Sequence, residues 1–256
     1  MILLKSAEEI ALMRKANQIV AEILDAVAAA VRPGISTDEL DRMAEELIYQ
    51  KGATPAFKGY APRGVAYPNS LCVSVNDEIV HGIPSGRKLK PGDIVGLDFG
   101  VVYKGFYGDS ARTVAVGKIP ERAERLLKVT REALYAGIEQ ARSGNRISDI
   151  AHAVQTRVEA AGYSVVEEFA GHGIGRNLHE DPQVPNYFRA GMPNPRLKEG
   201  MVLAIEPMVN EGRADLRILD DGWTAVTADG TLSAHFEHSV AITADGPQIL
   251  SEPGNV

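Results

Sequence analysis

Four carboxylates stand where apolar strands should carry none. Residues 94–97 and 201–205 are aliphatic enough to read as buried strands, yet they run directly into Asp98 and Glu206. Asp109 precedes a strand-like run at 110–114, and Glu237 stands between Phe236 and another such run at 238–242. A carboxylate taken out of water must be neutralised or bonded, because its desolvation costs several kcal/mol otherwise. Four such charges are balanced by two divalent cations or by four buried bases, and Arg112 is the only base inside these segments. Strand alternation puts Ile94, Gly96, Asp98 and Gly100 on one face, and Val202, Ala204 and Glu206 on the corresponding face of the other strand. Small neighbours there leave room for a ligand. A solvated strand end is the ordinary explanation for any one of these acids, and a poor one for all four together.

Histidines form a second line of argument. His172 and His179 lie seven apart in Phe169-Ala170-Gly171-His172-Gly173-Ile174-Gly175-Arg176-Asn177-Leu178-His179, where alternating glycines disfavour a helix and predict a shaped loop facing one cavity. The glycine spacing is wrong for a dinucleotide fingerprint, and no helix follows it. His81 stands alone in Val80-His81-Gly82, His235 and His238 flank Glu237, and His152 reads as helix surface. Cys72 reads as a packed thiol, since nothing beside it in sequence would lower its pKa.

The pattern of elements that must position these groups recurs in the second half of the chain. Ser6 with Glu9 and Ser36 with Glu39 form capping boxes that open two amphipathic helices, stopped at Pro33-Gly34 and at Gly52. Short strands are expected at 94–101 and 113–116; a helix then runs from Pro120 to about 141, and another occupies 148–161. A shift of 110 lays Gly34 on Gly144, Leu40 on Ile150 and Gly52 on Gly162, and a shift of 108 lays 92–98 on 200–206 with an acid ending each strand. The expectation is one α/β domain of 256 residues with related halves, about 1–117 and 118–256.

Composition narrows the function classes. The 27 basic against 34 acidic residues leave a net charge of −7, so no overall basic field attracts nucleic acid or anionic lipid. One cysteine excludes an intrachain disulfide. The N-terminus turns acidic before any signal-peptide core, and the longest apolar stretch, 26–31, is far too short to cross a bilayer. A cytoplasmic location is expected.

Taken together, the segment from Phe169 through His179 to Pro182, Ala204-Ile205-Glu206-Pro207, Ser233 through Glu237-His238, and the order Asp, Asp, His, Glu, Glu resemble the methionine aminopeptidases, specifically the short bacterial type I form, over nearly the whole chain. The resemblance implies a pita-bread fold, with two pseudo-symmetric halves, a central antiparallel-rich sheet and outer helices. It implies that Asp98, Asp109, His172, Glu206 and Glu237 hold two divalent ions, of Co, Mn, Fe or Zn, with Asp109 and Glu237 bridging. It makes Glu206 the proton shuttle, places His81 beside the scissile amide and gives His179 the carbonyl oxygen, while metal-activated water attacks the carbonyl. Cys72, Tyr60, Tyr67 and Trp223 become the thioether pocket. Substrates are the N-termini of nascent chains with a small second residue, met near the ribosome by a monomer. Departures from the pattern are a long Tyr60–Tyr67 link, Leu178 where an aromatic is frequent, and His235 where a glutamine is frequent. Two other functions stay open: an Xaa-Pro aminopeptidase or dipeptidase of the same fold, whose usual extra N-terminal domain has no room here, and a binding module that has lost its metal.

Overall fold

The computed structural model describes residues 1–62 and 64–252, so Arg63 in the Tyr60–Tyr67 link lies outside the described residues. Helix α1 (Ala7–Ala30) and helix α2 (Thr37–Gln50) both begin on the expected capping boxes, with Ser6 and Ser36 each accepting the N–H of the glutamate three residues on. Helices α3 (Glu121–Gln140) and α4 (Ile147–Glu159) repeat the pair. Glycines 34 and 144 close the turns between the paired helices at φ of +88° and +94°, a region that disfavours a side chain.

Nine strands make the main sheet: β1 (Thr54–Pro55), β2 (Cys72–Val75), β3 (Ile94–Tyr103), β4 (Phe106–Ala115), β5 (Ala170–Gly173), β6 (Glu180–Pro185), β7 (Val202–Ile205), β8 (Glu237–Thr243) and β9 (Gly246–Ile249). Their order is β1-β3-β4-β8-β7-β5-β6, with β2 added to β3 and β9 to β8. Every pairing is antiparallel. The first half of the chain supplies β3 and β4, the second supplies β7 and β8, and the halves join where Glu237 and His238 of β8 pair with Ala111 and Ser110 of β4. This seam brings Asp109 close to Glu237.

Two expectations are corrected. The strand expected at 113–116 spans Phe106–Ala115, so Asp109 lies inside it and not before it. The shaped loop expected around His172 is in part a strand, the loop being confined to 174–179: Ala170–Gly173 lies inside the sheet next to its edge, paired with both β6 and β7. Its glycine is a packing requirement, because a Cβ on Gly171 would collide with the carbonyl oxygen of Ala204.

Each helix pair packs on the sheet behind one pair of acids. The first core cluster joins Val20, Leu24 and Val27 of α1 and Leu40 and Ile48 of α2 to Val95, Leu97 and Phe99 of β3. Its counterpart joins Leu134 and Ile138 of α3 and Ile150 of α4 to Leu203, Ile205 and Val240. Helix α1 meets β4 so closely that a Cβ on Gly108 would stand 2.7 Å from the carbonyl carbon of Ala16. At the same contact the buried side chain of Asn17 accepts the N–H of Asp109 at 3.2 Å. Among the described residues no helix is long and apolar enough to cross a membrane.

Candidate metal centre

Asp109, His172 and Glu237 come from three different strands, and their ligand atoms lie within 4.8 Å of one another. All three side chains are buried. Their backbones are fixed by hydroxyls across the seam: Ser239 Oγ donates to the Asp109 carbonyl at 2.9 Å, and Ser110 Oγ to the Glu237 carbonyl at 2.7 Å. Asp98, two registers along the β3–β4 hairpin, and Glu206, directly after β7, face the same cavity.

The electrostatics of this cluster are those of a site that needs cations. Burial and the neighbouring Asp98 and Glu206 carboxylates hold Asp109 well above the usual range, and burial together with Asp109, Glu206 and Asp98 does the same to Glu237. Asp98 is pushed up to about 7, mainly by burial, and Glu206 to about 8 by burial. Burial, with His179 beside it, pulls His172 down to about 3, so that its ring is neutral; Nδ1 lies 2.9 Å from the Gly173 carbonyl and Nε2 faces the cluster. Asp98 Oδ1, Asp109 Oδ1 and Glu237 Oε1 are buried and have no hydrogen-bond partner among the described residues. Acceptor oxygens are rarely left so in a folded protein. A donor set of carboxylates and one neutral imidazole, with three orphaned oxygens and, among the described residues, no lysine or arginine in the cavity wall, fits hard or borderline divalent cations.

All eleven residues expected from the sequence line one inner cavity of about 60 Å³, together with Phe57 and Leu178. His179 lies with its ring centroid 4.2 Å from that of His172, and Tyr60 stacks on its other side at 5.3 Å, with the phenol oxygen 2.9 Å from Nδ1. His81 is held at φ +61°, edge-on to Phe169 and Trp223 at 5.3 and 5.9 Å. Tyr67 is buried, edge-on to Trp223 at 5.2 Å, and its hydroxyl donates to the Leu71 and Gly82 carbonyls. Cys72 pairs with Asp98 across β2–β3, and burial beside that carboxylate pushes its thiol well above the ordinary range, as befits a packed group. His238 turns away from the cavity to Ser251 Oγ at 2.8 Å, and exposed His152 packs edge-on to Phe188. An outer cavity of about 410 Å³ shares Tyr60, His81, His179 and Trp223 with the inner one and opens between Val65, Phe169, Tyr187 and Ile218.

His235 carries more of the site than its sequence position suggested. Its N–H and carbonyl both engage Thr113 Oγ1 at 2.9 Å, and its ring reaches Glu206. The sequence signals for it were the flanking of Glu237 by histidines and its place where the resembled family often has a glutamine.

A curled antiparallel sheet in which two related halves bring four carboxylates and an imidazole into one buried pocket defines a metallohydrolase-type centre. Residues 11–244 match metallopeptidase family M24. The methionine aminopeptidase of Clostridium perfringens is 55% identical over 98% of this chain and 99% of its own. The crystal structure of a methionine aminopeptidase from Thermotoga maritima superposes with a TM-score of 0.94 at 45% identity, covering 98% of this chain and 100% of that one. A prolidase from Pyrococcus furiosus gives 0.79 at 24% identity while only 66% of its length is covered, a likeness of fold alone. The chain belongs to metallopeptidase family M24, among the methionine aminopeptidases.

Proposed function

We propose that this chain hydrolyses the N-terminal peptide bond of peptides and nascent proteins that begin with methionine followed by a small residue. The observation that carries the reading is the convergence of a metal-fitting acid cluster and an aromatic-lined recess in one cavity. Asp98, Asp109, His172, Glu206 and Glu237 would hold two divalent ions, with Co, Mn, Fe and Zn all compatible with the donors. Such ions, when bound, polarise a carbonyl and make water a nucleophile near neutral pH.

The side chains supply the rest. Glu206, with its carboxyl at about 8 before metal enters, is placed to take up and return a proton. His179, pulled down by burial and therefore neutral near pH 7, offers Nε2 to the carbonyl oxygen while Tyr60 engages Nδ1. His81, fixed between Phe169 and Trp223 where the two cavities meet, contacts the scissile amide. Tyr67, Cys72 and Trp223 enclose the thioether, for which aromatic faces are favourable partners. Residues 1–117 and 118–256 would act as halves of one domain, working as a monomer. Nascent chains place its work in the cytoplasm, with passing contact at the ribosome.

The test is mass-spectrometric release of methionine from Met-Ala-Ser by protein stripped with chelator and restored with Mn or Co, beside Glu206→Gln. Metal-dependent release that the variant loses supports the reading. Release of residues preceding proline in its place would favour the Xaa-Pro function, and no release with any metal would favour a binding module.

A further inference from the structure

A buried ion pair outside the metal centre joins the first residues of the chain to the segment that carries His179. Lys5 Nζ lies 2.6 Å from Glu180 Oε2, with the side chains only 6% and 5% exposed. The other oxygen of Glu180, Oε1, accepts the backbone N–H groups of Arg176 and Asn177 at 2.9 and 3.1 Å. One carboxylate thus closes the turn from Gly175 to Glu180, inside which His179 sits. Space around it is fully used, since a Cβ on Gly175 would lie 2.5 Å from Lys5 Cε and 2.8 Å from Glu180 Oε1.

Lys5 is itself anchored. Its N–H donates to the Gly200 carbonyl at 2.7 Å, just before the strand that leads to Glu206, and its ammonium also donates to the Leu3 carbonyl at 3.2 Å. The turn is tied on its far side by Tyr107 N–H, which donates to the Gly175 carbonyl at 2.9 Å. Among the described residues Lys5 is the only cation paired with Glu180: Arg176 points to Glu9 and over the Phe106 ring, and the Met1 ammonium pairs with Asp181 at an exposed site.

We propose that Lys5, through Glu180, is a positioning residue for His179, so that the extended segment before α1 works as part of the active site. The proposal rests on the role given to His179 above. A buried carboxylate that loses its paired cation is left with an uncompensated charge and draws in water. That change loosens the turn whose N–H groups it holds, and His179 loses its place between His172 and Tyr60. Displacement of a catalytic group by about 1 Å costs on the order of a hundredfold in rate.

The experiment is a double-mutant cycle of Lys5→Met and His179→Ala in the full chain reconstituted with Mn, scored by kcat and KM for Met-Ala-Ser, together with imidazole NMR of the metal-free protein. Lys5→Met should lower kcat at least about tenfold while moving KM less than about threefold, and should add nothing in the His179→Ala background. It should move the His179 ring resonances and leave those of His152, far from the turn, where they are. The pair Lys5→Met with Glu180→Gln, which removes both charges and keeps an acceptor oxygen, should regain part of the loss. An equal fall in both backgrounds, or unmoved His179 resonances in a folded Lys5→Met chain, would overturn the proposal. If the unmodified chain releases no methionine, the functional reading fails, and the resonances still decide the positioning.

Discussion

Glu206 is held between two neutral imidazoles: His172 Nε2 lies 3.6 Å from Oε1 and His235 Nε2 lies 3.5 Å from Oε2. Burial lowers the pKa of both rings, so neither supplies a positive charge to the carboxylate near neutral pH. His172 faces the acid cluster, whereas His235 approaches from Ser233–His235, a strand of a small second sheet, where Thr113 holds its backbone. Its Nε2 is buried with no hydrogen-bond partner among the described residues, and the carboxylates acting on the ring are Glu206, at 3.5 Å, and Asp98.

His235 is therefore expected to set the orientation of Glu206. His235→Gln, which keeps a side-chain donor, should retain kcat within a few-fold. His235→Leu should lower kcat by about 10- to 100-fold, the usual loss when a partner of a ligand is removed. Steady-state kinetics beside metal analysis of the purified variants checks this. Unchanged kcat in His235→Leu at full metal loading would refute it.

Metal-free protein should become less stable as pH rises. Asp98 and Glu206, with folded values of about 7 and 8, bind protons more tightly than the same groups in the unfolded chain. The stabilising contribution is full below pH ~4, the ordinary carboxylate range, and is lost as pH climbs through 7 and 8. Chelated protein should thus melt at a lower temperature at pH 8.5 than at pH 5.5. Added Mn or Co should raise the melting temperature most at the higher pH, because the ions need the deprotonated ligands. Thermal melts at both pH values, with and without metal, provide the check.

Asp109→Asn separates stability from function. Asp109 is buried, its Oδ1 has no hydrogen-bond partner among the described residues, and Asp98, Glu206 and Glu237 repel its charge. Removing that charge should make the chelated chain melt higher by a few degrees, corresponding to about 1 kcal/mol or more. The same variant should gain far less than the roughly 2.7 kcal/mol that a ligand at 100 times its Kd confers, and should release no methionine. Calorimetry with and without metal distinguishes this from simple misfolding, which would lower both melts.

The acids and helix pairs were legible in the sequence because each is a local contradiction or a local rule: Asp98 and Glu206 interrupt aliphatic runs, and Ser6 and Ser36 open capping boxes. The strand nature of Ala170–Gly173 was not, since glycines that admit a neighbouring backbone look the same as glycines of a loop. The front of β4 was missed because Gly108 and Asp109 are poor strand formers and are tolerated there only by the contact with Ala16 and Asn17 of α1. The pairs Lys5–Glu180 and His235–Glu206 had no sequence signature, because they join residues brought together only by the closed sheet.

Trp223 offers a direct optical reading of the recess, since the chain has one tryptophan. The indole is wedged edge-on against Tyr67 and His81, and its Nε1 is buried with no hydrogen-bond partner among the described residues. A thioether entering between Trp223, Cys72 and Tyr67 must displace solvent from the indole and touch its face or edge. Addition of free methionine to the metal-free protein should therefore change the tryptophan emission in a saturable way, and alanine should do much less. Trp223→Phe should keep methionine release within a few-fold, whereas Trp223→Ala should raise KM about tenfold, equivalent to about 1.4 kcal/mol of binding. If emission is indifferent to methionine and Trp223→Ala leaves KM unchanged, the thioether is held elsewhere and the recess beside Trp223 is packing alone.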